Sequence, residues 1–98
     1  MKIINGAEVW GEHGLKIKYD QNRISYKKNT YATAISVEFM LNPVTLLLYV
    51  DTLRSWFPPH EKDHLSELDK KRIVDKVTEA LRLLNVKYEI VQQDSFLE

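Results

Sequence analysis

The chain is expected to fold as an α+β protein: a mainly antiparallel sheet packed against one long C-terminal helix, followed by a closing strand. Three observations lead there. Apolar and polar residues alternate through the first half, as in Leu15-Lys16-Ile17-Lys18-Tyr19 and again over positions 33–39, the period of a half-buried strand. A single stripe at three- and four-residue steps follows, made of Ile73, Val74, Val77, Ala80, Leu81 and Leu84, the period of a helix with one buried side. Charge is segregated to match. Positions 29–60 carry only Glu38, Asp51 and Arg54, whereas positions 61–79 carry eleven charged residues, the contrast between a sheet centre and a solvated helix.

Taken in order, positions 2–10 read as one strand, interrupted or bent at Gly6 and ending in a turn over 11–14. The strand at 15–19 pairs with one containing Ile24 and Tyr26. Asp20-Gln21-Asn22 joins them, since such side chains bond their own backbone in turns. Thr33, Ile35, Val37 and Phe39 share one face, and Ala34, Ser36 and Glu38 the other. Asn42-Pro43 ends that strand, because proline donates no backbone hydrogen bond and restricts its predecessor. Positions 45–50 are apolar at both parities, which suits a central strand covered on both sides. The helix is expected over 66–84. Ser66 caps it with Asp69 as the returning carboxylate, and Glu67 precedes Lys71 by four residues, a favourable helical pair. Asn85 takes the left-handed position after the helix, and Val86, Tyr88 and Ile90 alternate as the closing strand.

Ninety-eight residues suggest a single domain over 1–98. The polar end, 92–98, is expected to fray, and Leu97-Glu98 resembles the remnant of a cloning site ahead of a purification tag. Without cysteine, disulfides, thiol nucleophiles and cysteine-bound metals are excluded. Zero net charge gives no global field for nucleic acid or anionic lipid. The longest apolar run, positions 46–50, is far short of the roughly 20 residues of a membrane span. No secretory leader is recognisable in positions 1–30, so a cytoplasmic protein without membrane partners is expected. A single helix excludes repeated βαβ winding and a nucleotide fold built on it.

His60-Glu61-Lys62-Asp63-His64 spells H-E-x-x-H, a zinc-binding pattern when both histidines share a helix face. Pro58-Pro59 directly before it, and a helix that begins only at Ser66, place it instead in a solvated loop. Glu38 lies on the polar face of its strand and reads as paired or solvent-facing. No nucleophile elbow, dinucleotide loop or Walker loop occurs. No catalytic residue, metal or cofactor is therefore expected, and the chain is not read as an enzyme.

Two binding readings stay open. Lys16, Lys18, Arg23, Lys27 and Lys28 lie among Tyr19, Tyr26 and Tyr31, a mixture that can hold single-stranded nucleic acid over the hairpin 16–28. Strict alternation argues the contrary, with lysines wet and tyrosines in the core. The second is the segment Arg54-Ser55-Trp56-Phe57-Pro58-Pro59, the residue mixture of interaction hot spots. One of Trp56 and Phe57 is expected to pack, and the other is left open between packing and a contact role. With the charged residues that follow, the candidate partner-binding set is Trp56, Phe57, His60 and Glu61.

Leu46-Leu47-Leu48-Tyr49-Val50, Leu53, Arg54, Trp56 and Pro58-Pro59, then Leu65-Ser66, Ile73-Val74, Ala80-Leu81 and positions 86–90, resemble a small α+β immunity-protein family of bacterial polymorphic-toxin systems. The resemblance covers positions 46–91, and the H-E-x-x-H lookalike departs from its pattern. It implies a non-enzymatic cytoplasmic antitoxin whose partner is a cognate toxin protein, and it leaves a homodimer open.

Overall fold

The structure, a computed structural model, describes residues 1–41 and 43–92. Asn42 of the expected chain break, and positions 93–98 with the expected frayed end and Leu97-Glu98, lie outside the described residues. The elements are β1 (Lys2–Asn5), β2 (Glu8–Trp10), β3 (Leu15–Tyr19), β4 (Arg23–Lys28), β5 (Tyr31–Met40), β6 (Thr45–Tyr49), a 3-10 turn (Val50–Thr52), α1 (Glu67–Leu83) and β7 (Tyr88–Val91). They form one sheet in the order β1 to β7. Every pairing is antiparallel except β6 with β7, which the crossover through α1 makes parallel. The α+β class and the closing strand are present, and α1 is the one long helix among the described residues. Among the described residues, no helix is long and apolar enough to cross a membrane.

The first segment is not one bent strand. Gly6-Ala7 is a two-residue hairpin turn, and the Asn5 side chain accepts the Ala7 backbone N–H at 2.9 Å. The chain therefore reverses, and Lys2 pairs with Trp10 and Ile3 with Val9. The next reversal is left-handed at Gly14, φ +72°, where a Cβ would stand 3.0 Å from the Asn29 Oδ1.

One face of the sheet holds the core. Val9, Ile17, Ile24, Ile35, Leu46 and Leu48 are almost wholly buried there, with Ile73, Val77, Ala80 and Leu81 of α1 laid over them. Alternation explains the assignment: in β3, Leu15 and Ile17 are buried while Lys16 and Lys18 are exposed. Phe39 shares the parity of Ile35 and Val37 but lies at the margin, largely exposed. The expectation that positions 45–50 are covered on both sides fails. Leu46 and Leu48 are buried, yet Leu47 and Tyr49 are only half-buried, because the single helix lies on the other face. The molecule is 19 Å in its thinnest dimension, room for one sheet layer and one helix layer.

The helix ends obey the sequence closely. The Ser66 Oγ accepts the Asp69 N–H at 3.0 Å and the Asp69 Oδ2 accepts the Ser66 N–H at 3.1 Å, a complete capping box. At the other end Asn85 is left-handed at φ 62°. Val86 N–H reaches the Leu81 carbonyl and Asn85 N–H that of Arg82, the two bonds of a Schellman motif. The ion pair differs from expectation: Glu67 meets Lys70 at 3.1 Å rather than Lys71. Both spacings lie on one helix face, and Lys70 is the less exposed of the two.

Because Leu81 is 1% exposed, Leu81→Ala should cost roughly 2–5 kcal/mol in urea unfolding. Leu68→Ala, at a largely exposed site on the same helix, should stay within about 0.5 kcal/mol. Equal small losses at both positions would show that the stripe is not core.

Candidate partner-binding site

β5 has ten residues and β6 five, so β6 cannot partner the whole of β5. The chain after β6 takes over. Thr52 Oγ1 accepts the Ser36 N–H at 2.9 Å, Thr33 Oγ1 donates to the Ser55 carbonyl at 2.8 Å, and Phe57 N–H donates to the Ala32 carbonyl at 2.7 Å. Backbone groups that would otherwise stay open at the strand edge are thus used to lay residues 52–57 along it. Trp56 turns inward and is 9% exposed, within the core cluster. Phe57 is 39% exposed. The strand edge packs Trp56, as expected of one of the two rings, and leaves Phe57 exposed.

The loop that follows closes back on Tyr31 at the start of β5. Trp56 meets the Tyr31 ring edge-on at 5.0 Å between centroids, and His60 stacks on it at 3.7 Å and 10°. The Tyr31 hydroxyl donates to Asp63 Oδ2 at 2.7 Å, and the same oxygen lies 3.2 Å from His60 Nδ1. His60 Nε2 is 2.8 Å from Thr30 Oγ1. With Asp63 as acceptor, Nδ1 carries the proton and Nε2 accepts from the threonine hydroxyl, a tautomer assigned from its partners. Donation to Asp63 raises the Tyr31 phenol above its ordinary pKa, with burial and the charges of Asp63 and Asp69 adding.

His60 is therefore half-buried with both ring nitrogens engaged, more fixed than a freely solvated loop residue. It shares no helix face with His64, which is exposed. The loop character expected of the H-E-x-x-H segment is present, since α1 starts only after Ser66. Glu61, Lys62 and His64 are exposed on its outer surface. Beneath it, a cleft of 820 Å³ is lined by Tyr26, Lys28, Tyr31, Trp56, Asp69 and Arg72, among others, cations and carboxylates in near balance. Burial first, then Asp69 charge, raises the Tyr26 phenol, against an opposing pull from Arg72. Elsewhere, exposed Glu38 accepts the Tyr49 hydroxyl at 2.9 Å, the paired carboxylate expected of it.

Of the four residues singled out from the sequence, the fold brings Phe57 and Glu61 to the surface, puts Trp56 behind them and makes His60 the clamp. Sequence reasoning missed Tyr31, Thr30 and Asp63 as members of this cluster. Their partners lie about thirty positions away, and no local period reports such a contact; the strand start at an aromatic residue was the only signal.

A family model described as Immunity protein 74 matches residues 16–91, the span from β3 through β7 that includes this loop. No curated protein and no solved structure matches the chain.

Two variants probe the clamp. His60→Ala removes one stacked ring and should lower stability by about 1 kcal/mol, with faster proteolysis of the 57–64 loop. For Tyr31 the sign follows from its raised value: its stabilisation is whole below the ordinary tyrosine value of about 10 and is lost as pH rises past the folded one. Tyr31→Phe should therefore melt below the parent at neutral pH, and the gap should narrow at alkaline pH. A constant gap across that range would mean that the phenol–carboxylate bond contributes nothing.

Proposed function

The chain belongs to the Immunity protein 74 family, and on that premise we propose that it is a stoichiometric inhibitor that binds and neutralises a cognate bacterial toxin in the cytoplasm, without catalysis of its own. The observation that carries this reading is the family match, because it spans six of the elements that build the core, β3 to β7 with α1. Inhibition of this kind needs a surface of defined shape that excludes substrate or blocks a moving part. The loop around Phe57 meets the requirement. Its backbone is tied to β5 and its base is clamped through Tyr31, His60 and Asp63, so little conformational freedom remains to be lost on binding. Phe57 and Glu61 then act as an aromatic anchor with a charged neighbour, and Trp56 and His60 act as their support.

The other reading, a nucleic-acid module on the hairpin 16–28, has less support. Tyr26 belongs to the core, and Tyr19 and Tyr31 pack against it, so those rings are not free to stack on bases.

Growth rescue tests the proposal. Where a neighbouring gene encodes a toxin domain, co-expression with this chain should restore growth, and the two purified proteins should bind in equal numbers. Phe57→Ala should weaken binding by roughly tenfold to a hundredfold and Glu61→Ala by less, both with parental circular dichroism and melting. Unchanged binding by both folded variants would remove the loop from the binding face. A parent that neither rescues nor binds would sink the immunity reading itself.

A further inference from the structure

The sheet face turned away from α1 carries an unbalanced set of cations. Register places Lys2, Trp10, Lys16, Lys27 and Ala32 in one row across β1 to β5. The next row runs through Glu8, Lys18, Ser25 and Ala34, with Arg23 beyond it opposite Ser36. All five cations are exposed, and none has a carboxylate within 4.0 Å among the described residues. Three acids lie near them, Glu8 and Glu38 on the same face and Asp20 close enough to feel the charges of Arg23 and Lys18, and each also accepts a hydrogen bond. Glu8 accepts the Trp10 indole N–H at 2.6 Å. Asp20 accepts the backbone N–H groups of Asn22 and Arg23 at 2.9 and 3.0 Å.

Lys16 and Lys27 stand directly opposite each other, an arrangement of like charges that weakens a strand pair. The compensation visible is the Trp10 ring, 4.7 Å from the Lys16 ammonium. Trp10 itself is 42% exposed. Between the cations the surface is low, made of Ser25, Ala32 and Ala34. Five cations against Glu8 and Glu38 leave this part of the face, over β1 to β5, with an excess of positive charge. Since the net charge of the chain is zero, the asymmetry is a local field with a definite position.

We propose that this open face, centred on Lys16 and Lys27 with Trp10 as its aromatic anchor, docks a carboxylate-rich surface of the toxin; the inference rests on the immunity reading above. Charge complementarity selects that occupant. A second copy laid face to face would bring the same cations together. A single-stranded nucleic acid would need several exposed rings in succession, and of Trp10, Tyr19 and Tyr26 only Trp10 is exposed. The row also ends at Ala32, whose carbonyl holds the Phe57 N–H. The cationic face and the loop are therefore contiguous, and one partner can reach both.

Where a neighbouring gene encodes a toxin domain, titration calorimetry with that domain tests the inference. Parent affinity should fall several-fold between about 50 and 300 mM salt, as the Debye length contracts. Lys16→Glu with Lys18→Glu and Lys27→Glu should weaken binding by at least roughly tenfold, and the matching glutamine triple by less. Lys71→Glu with Lys76→Glu, on the exposed side of α1, should stay within about twofold of the parent. If the folded charge-reversal triple binds like the parent, this face is not the docking surface while the immunity reading stands. A parent that binds no toxin removes both. In that case, salt-sensitive binding of a single-stranded RNA of about 20 nucleotides, abolished in the triple variant, would assign the face to nucleic acid instead.

Discussion

A single helix can cover only one face of a seven-stranded sheet. At seventeen residues, α1 is about 25 Å long, close to the width of the strands it must shield at about 4.8 Å spacing. The fully buried apolar residues of the sheet are consequently gathered on one side. There Ile24, Ile35, Leu46 and Leu48 meet Ile73, Val77 and Leu81. The opposite side must then tolerate water, which is why lysines alternate with core residues along β3 and why β6 leaves Leu47 and Tyr49 half covered. Two surfaces with separate chemistry follow from that one shortage of helix.

The unequal lengths of β5 and β6 matter next. A free stretch of strand edge invites pairing with another chain, and here the segment after β6 occupies it. Trp56 is drawn into the core, Phe57 is left outside, and the turn that follows is returned to Tyr31. The site is therefore a by-product of edge protection: the hydrogen bonds that close the sheet also fix the loop.

Much of this was legible in the sequence, and the limits are physical. Alternation identified the strand faces of β3, β4 and β5, and the stripe and caps located α1 to within a residue at each end, because those signals are local. The reversal at Gly6-Ala7 was signalled by the glycine but was outweighed by the apolar residues on either side of it. Two-sided coverage of β6 was a misreading of a different kind. A run apolar at both parities reports the wish to be buried and cannot report how many helices are available. Packing of one of Trp56 and Phe57 was anticipated but not which ring would go inward, since that depends on the edge of β5. The clamp of Tyr31, His60 and Asp63 was invisible because its members are brought together only by the sheet.

Strand order along the sheet is the same as order along the chain, and loops of two to four residues join the first five strands. Contacts of this kind close quickly, since little chain entropy is spent on each. Assembly emerging from the ribosome can thus zip from β1 towards β6 as each strand appears. The parallel pair of β6 and β7 is the exception, because it forms only across the whole length of α1. Until that helix is complete, a nascent sheet carries its apolar face uncovered. The last third of the chain therefore decides when the young protein stops being adhesive, and the interval before helix docking is when chaperone protection matters most.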